Sequence, residues 1–362
     1  MNNHYCIIMA GGVGSRFWPM SVTAHPKQFL DILGTGRTLI QQTFDRFKDL
    51  CPAKNIYVVT SDMYANLVAT QLPNIPKENI LTEPSRKNTA PCIAYASYKI
   101  HKLNPKAVTV VAPSDHLITK EDTFIKAIRA CYAKAESEDC LVTLGIKPTR
   151  PDTGYGYIQY KESPVKEKDK RIYKVKTFME KPQLEMAKLF IESGDFLWNS
   201  GIFIWTTENI LSAFEKNDPE LANIFKEGWA DYNTPREKEF VNRAYNTCKN
   251  DSIDYSVMEK ADNVYVRESI IGWSDLGTWG SLFTHIQHDK GNNAVVGKNT
   301  MLYDCKDCIV HVPKEKLVVL QGLEDYIVVE SDGILMVCKK QDEQQIRNFV
   351  NDVKVQKGDK FV

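Results

Sequence analysis

The chain lacks an excess of charge of either sign: Lys and Arg together number 46, and so do Asp and Glu. There is thus no basic surplus to suggest nucleic acid and no polybasic segment for a membrane surface, and neither partner is expected. No apolar run approaches the roughly 20 residues that a transmembrane helix requires. The N-terminus shows no basic segment leading into an apolar core and a small-residue cleavage site, so no signal peptide is expected. Cysteines number nine, an odd count scattered along the chain, which fits reduced thiols and a cytoplasmic location. Two familiar glycine fingerprints are missing as well. G-x-G-x-x-G fails where Phe17 stands in place of the third glycine, and G-x-x-x-x-G-K-[ST] does not occur. An NAD-dependent oxidoreductase is therefore a distant reading.

What is present centres on residues 9–30 of a 362-residue chain with 43% hydrophobic and 25% charged residues, long enough for two domains. A short apolar run, residues 5–10, reads as a buried strand. Gly11, Gly12 and Gly14 follow, then Arg16, and later Lys27 behind Pro26. Glycines let the backbone pass close to a ligand, and successive N–H groups in such a turn cradle phosphate. An ordinary tight turn is the competing reading, and the two cations downstream favour a polyphosphate site.

Strand and helix patterns alternate up to about residue 145. Strands are expected at 55–60, 107–112 and 140–146. Helices are expected at 62–72, capped near Ser61 or Asp62, at 88–103, and from Thr119 to about Ser137 with Asp122 in the capping-box position. Such alternation implies a parallel sheet covered on both faces, with ligands beyond the carboxyl ends of its strands. Asp115 follows one strand and either caps a turn or holds Mg²⁺, an ion that takes one or two carboxylates plus substrate phosphates. Glu83 opens a polar loop, and its carboxylate can accept guanine's adjacent N1–H and N2 amino donors. Further strands are expected at 155–160 and 173–180, with a charged turn at 166–171 between them. Glu180 can accept from sugar hydroxyls, Lys181 can bind a sugar phosphate, and Asn199 can do both. Residues 208–262 read as helices, with Asp254 as an N-cap. Asp275 is a second candidate metal carboxylate, its alternative being the cap of a helix at 278–286. The tail shows short β segments near six-residue spacing, a hint of a β-helix, and a closing amphipathic helix at 341–353. It carries no catalytic constellation and reads as a packing or oligomer module. Cys305, Cys308 and His311 have metal-ligand spacing without a second C-x-x-C, and a structural role is expected for them.

Taken in order, GGVGSRFWPMS…PKQFL, EPSRKNTAP, PSDH, GYGYI, FMEKP, WNSGIF, SIDYSVMEKA and GWSDLGTW resemble the motif series of bacterial mannose-1-phosphate guanylyltransferases. The resemblance covers residues 5–285 almost continuously, and the tail from residue 293 resembles the family's β-helix-like region. One departure is Lys87, where the family motif runs Arg-Asn-Thr-Ala; Arg86 sits one place earlier.

The resemblance implies an α/β fold. Residues 1–287 would form a Rossmann-like, mixed, mostly parallel sheet domain, and 288–362 a smaller β-rich, β-helix-like domain ending in a helix. It implies GTP and mannose 1-phosphate as substrates and Mg²⁺ as cofactor, while the β-rich tail itself suggests a homodimer. Gly11, Gly12, Gly14, Ser15, Glu83, Asn88, Thr89 and Ser114 would bind the nucleotide. Arg16, Lys27 and Lys181 would be catalytic, and Asp115 and Asp275 would hold the metal. Gly156, Glu180, Lys181 and Asn199 would hold the sugar phosphate. The same chemistry on another sugar 1-phosphate such as fucose or a heptose, and a non-catalytic sugar-nucleotide sensor, are the alternatives.

Overall fold

The computed structural model describes residues 3–161 and 169–362. The first half of the charged turn expected at 166–171 lies outside them. By packing the chain divides into two compact units that do not follow chain order. One holds the N-terminal strand up to Gly11 together with Thr43–Ser114 and Ile118–Trp273; the other holds Gly12–Gln42, Asp115–Leu117 and Ser274–Val362.

The first unit is built on nine strands among the described residues. They are β1 (His4–Met9), β2 (Ile56–Ser61), β3 (Ile80–Glu83), β4 (Val108–Pro113), β5 (Leu141–Ile146), β6 (Tyr157–Tyr160), β7 (Ile172–Met179), β8 (Phe196–Thr206) and β9 (Val264–Glu268). Their order across the sheet is β3-β2-β1-β4-β8-β5-β9-β7-β6, and β6 also pairs with β8. The β1, β2, β3 and β4 ladders are parallel, whereas β7 and β8 run against their neighbours. The sheet is mixed, with seven strands sharing one direction. Near-continuous apolar strands such as β1, β2 and β4 are buried along their length, as strands of a parallel sheet must be.

The helix Thr89–Leu103 is buried at every position from Ala90 to Ile100. Its small residues admit close packing, and the helices Thr207–Asn217 and Pro219–Glu227 pack against it. Asn88 caps it by accepting from the Thr89 N–H at 2.9 Å. Two expected caps are corrected. Thr119 opens no helix: Glu121–Ser137 starts two residues later without a side-chain cap. The Thr119 N–H donates to the Gly272 carbonyl at 3.2 Å instead, a backbone bond that holds Thr119 outside the helix. Asp254 is not an N-cap either, since it lies within a π-helical turn, Asp254–Met258, with no side-chain capping bond.

In the second unit the tail strands are β10 (Ala294–Val296), β11 (Thr300–Tyr303), β12 (Ile309–His311), β13 (Val318–Gln321), β14 (Tyr326–Ser331) and β15 (Ile334–Lys339). β10, β12 and β14 stack in parallel with Ala294, Ile309 and Ile327 in register. β11 and β13 form a second parallel ladder, and β15 closes the first one antiparallel. Successive turns of chain thus lie on one another as β-helical coils. The apolar seam Ile309, Ile327, Val329, Met336 joins Ile346, Trp279, Leu282, Phe17 and Ile32 in one core. The closing helix is Ile346–Lys357, preceded by a 3-10 segment, Lys340–Gln345.

The thiols of Cys305 and Cys308 point to the carbonyls of Tyr303 and Lys306, at 3.4 and 3.2 Å. His311 meets the Trp279 ring edge-on, centroids 6.0 Å apart. Among the described residues no group of three or more His, Cys, Asp or Glu side chains could by itself hold a metal ion. Among the described residues no helix is long and apolar enough to cross a membrane.

Candidate functional site

In the second unit the glycine turn runs into a 3-10 turn, Ser15–Phe17, with Gly14 at φ 62°. That left-handed backbone favours glycine. A Cβ there would also lie 2.5 Å from the Lys27 Cβ, so glycine is required on two counts. The consequence is that Lys27 is drawn inside and buried. Its ammonium donates to the carbonyls of Asp275 and Leu276, both at 2.9 Å, and pairs with Asp115 Oδ2 at 2.9 Å. Those three bonds use all three of its protons. Burial alone would raise the Asp115 pKa, but the charges of Lys27 and His116 outweigh it and hold the carboxyl below its ordinary value. Asp275 accepts from the Gly277 N–H at 3.0 Å, and Leu276 between them has φ 44°, a strained setting typical of functional loops.

These side chains line one cavity of about 250 Å³ with Gly14, Ser15 and Arg16. Arg16 donates to the Gly277 carbonyl at 3.3 Å, while its buried Nε has no hydrogen-bond partner among the described residues. Gly12 lends its carbonyl to Gln28 Nε2 at 2.8 Å. One cavity residue escaped the sequence reading: Arg347, from the closing helix. Two carboxylates among cations and open backbone suit a divalent cation that takes its remaining ligands from phosphate oxygens.

In the first unit, Glu180, Lys181, Asn199 and Gly156 come together. Lys181, at φ 47°, donates from Nζ to Glu180 Oε1 at 2.6 Å. Glu180 Oε2 is buried with no hydrogen-bond partner among the described residues, and a Cβ on Gly156 would sit 2.3 Å from it. Gly156 is therefore the residue that leaves space for that oxygen. Asn199 lies where the β5–β8 register shifts, and its Oδ1 accepts from Thr143 Oγ1 at 3.1 Å. Its Nδ2 donates to Asp254 Oδ1 at 2.9 Å. Asp254 is thus a member of this cluster that sequence missed, because an Asp opening a helical run carries the signature of a cap. Burial, then the neighbouring Glu180 charge, raise its pKa to about 7.

Glu83 is buried at the end of β3, and burial raises its pKa to about 7 against the opposing pull of Tyr245 and Arg86. The Tyr245 hydroxyl donates to Oε1 at 2.8 Å, so one of the two oxygens expected to read a base is already engaged. A Cβ on Gly11 would lie 3.3 Å from the other, Oε2. Asn88, at φ 67°, and Thr89, whose hydroxyl accepts from the Ile253 N–H at 2.9 Å, shape the start of their helix. Lys87 donates to the Cys248 carbonyl at 3.1 Å and Arg86 to the Tyr64 hydroxyl at 3.1 Å, so both cations around the departure from the motif are tied to the protein. Ser114 is buried and donates its N–H to the Met9 carbonyl at 3.0 Å, extending the β1–β4 pairing. A larger cavity of about 730 Å³ lies along β3 and holds none of the expected residues. Its Lys99–Glu237 pair at 2.6 Å is closed off by the Tyr95 hydroxyl.

Comparison with known proteins identifies the family. The nucleotidyl transferase family pattern matches residues 5–291, and that of the MannoseP isomerase/GMP-like beta-helix domain matches 298–353. The mannose-1-phosphate guanylyltransferase of Escherichia coli is 33% identical over 352 residues, 95% of this chain and 74% of the relative. That of Salmonella montevideo is 35% identical over 355 residues, 97% of this chain and 74% of the relative. Among solved structures, one described as a mannose-1-phosphate geranyltransferase from Thermus thermophilus has a TM-score of 0.86 at 27% identity, covering 97% of this chain and 99% of that one.

Proposed function

The chain belongs to the mannose-1-phosphate guanylyltransferase family, and from that premise we propose that it joins GTP and α-D-mannose 1-phosphate into GDP-mannose and pyrophosphate. The observation that carries the reading is the single cavity in which Arg16, Lys27, Asp115 and Asp275 meet beside the glycine turn. Residues 1–287 serve as the catalytic domain and 288–362 as the β-helix-like domain.

A phosphate oxygen of the sugar phosphate attacks the α-phosphorus of GTP in line. The new P–O bond forms as the bond from the α-phosphorus to the bridging oxygen breaks, and pyrophosphate leaves with that electron pair. The nucleophile is already an anion and needs no general base. The barrier is the approach of two anions, so rate is gained by positioning and by fixed charges aimed at the phosphates. Arg16 contributes unspent N–H donors toward the leaving phosphates. Lys27 acts by fixing Asp115 and the carbonyls of Asp275 and Leu276 in one frame. Asp115 and Asp275 would hold Mg²⁺, which when bound supplies countercharge to the phosphate oxygens. Glu180 Oε2 accepts from a sugar hydroxyl, with Lys181 and Asn199 beside it. Glu83, Asn88, Thr89 and Ser114, with the main chain of Gly11, Gly12, Gly14 and Ser15, are assigned to the nucleotide.

The test is pyrophosphate release from GTP, with and without mannose 1-phosphate, across a Mg²⁺ titration. Release requiring all three components is expected. Equal release with fucose 1-phosphate or a heptose 1-phosphate would transfer the reading to another sugar, and no release with any sugar phosphate would favour a sensor.

A homodimer belongs to the same proposal. Met301, Tyr303 and Val319 are 47%, 48% and 56% exposed on the β11–β13 ladder, and exposed apolar patches of this kind mark association surfaces. Sedimentation equilibrium should give twice the chain mass; the mass of one chain at micromolar concentration would exclude it.

A further inference from the structure

Arg347 is the second residue of the helix Ile346–Lys357, which packs against the 3-10 turn Ser15–Phe17. It lines the same cavity as Arg16, Lys27, Asp115 and Asp275. Of the two carboxylates there, Asp115 Oδ2 pairs with Lys27 and Asp275 accepts from the Gly277 N–H. The charge that Arg347 does feel is that of Arg16, which, ahead of burial, lowers its pKa. Arg16 in turn keeps a buried Nε without a hydrogen-bond partner among the described residues. Two guanidinium groups thus face one cavity, that of Arg347 exposed to solvent and that of Arg16 with a buried N–H to offer, an arrangement that suits an anion. Lys27 cannot serve that anion without giving up a bond, because its three protons are already engaged. A guanidinium fork matches paired phosphate oxygens, which a single ammonium does not.

The geometry points to Arg347 as a pyrophosphate-binding residue that, with Arg16, holds the leaving group, so that the β-helical tail contributes directly to the reaction. This rests on the guanylyltransferase reading for its substrate, but the anion slot itself can be tested without it.

The probe is inorganic pyrophosphate added to the full chain, followed by thermal melting of wild type, Arg347→Gln and Arg347→Lys. Pyrophosphate should stabilise wild type, with affinity about tenfold weaker in Arg347→Gln, the scale of a lost charged hydrogen bond, and an intermediate loss in Arg347→Lys. Without pyrophosphate, Arg347→Gln should melt no lower than wild type, since a like charge has been removed. In turnover, Arg347→Gln should raise the KM for GTP and leave that for mannose 1-phosphate within about twofold. Equal pyrophosphate affinity in wild type and Arg347→Gln overturns the proposal. So does an unliganded variant that melts well below wild type, which would assign Arg347 to holding the fold. Pyrophosphate stabilisation that depends on Arg347, in a protein that releases none from GTP and mannose 1-phosphate, would keep the slot and remove the reaction.

Discussion

The Lys27 cluster and the Glu180 cluster solve opposite electrostatic problems. Around Lys27, cations outnumber carboxylates and arginine N–H groups are left over. Around Glu180, carboxylates crowd together, one oxygen is left over, and a neighbour's proton affinity rises to about 7. Unspent donors at a positive site await an anion of many oxygens. An unspent acceptor at a negative site awaits neutral hydroxyl donors. Each site is incomplete in the sense that its proposed ligand would correct.

The contrast can be broken first at Lys27. Lys27→Ala removes the common donor to Asp115 and two carbonyls, and kcat should fall by about 10²–10³-fold, the scale of losing one preorganised charge-stabilising contact. GTP binding should change far less, because the ammonium has no spare proton in the free protein. Steady-state kinetics with an intact kcat would exclude this role. Next comes Gly156→Ala, whose Cβ would lie 2.3 Å from Glu180 Oε2 and push that oxygen aside. Here kcat/KM for the sugar phosphate should drop by about a hundredfold, as displacements near 1 Å do, with the KM for GTP nearly constant. Equal losses for both substrates would place Gly156 outside the sugar site.

The smallest effect concerns pH. Asp254, ordinarily near 3.8, is raised to about 7 in the folded chain by burial and by Glu180, against Lys181 and Asn199. Between those values the folded state keeps a proton that the unfolded chain has released, so stability is present at the acid end and is lost as pH rises towards 7. Melting at about pH 5 and about pH 8 should show that decline in wild type and a shallower one in Asp254→Asn. The remaining slope is expected from Glu83, raised in the same direction by its own burial. Identical slopes would remove the proton from Asp254.

What could be read beforehand was what local pattern encodes. Buried apolar runs gave β1, β2, β4 and β5, and parallel coils followed from short β segments in the tail. The glycine turn with Arg16 was legible because its residues lie within six positions, 11–16. Asp254 was not, since a cap and a buried carboxylate look alike in sequence and only the bond to Asn199 distinguishes them. Arg347 was hidden for a related reason: it is one cation on an amphipathic helix, and its meeting with Arg16 depends on how the tail folds. The bonds of the Lys27 ammonium were not legible either, since sequence shows a charge but not the carbonyls that occupy it.

Counting the charges that line the cavity of the second unit, Arg16, Lys27 and Arg347 stand against Asp115 and Asp275, a surplus of a single positive, or of two when His116 is protonated. A nucleoside triphosphate carries more negative charge than that. The remaining countercharge has to travel in with the nucleotide, which makes the divalent ion part of the cargo rather than a fixture of the empty protein.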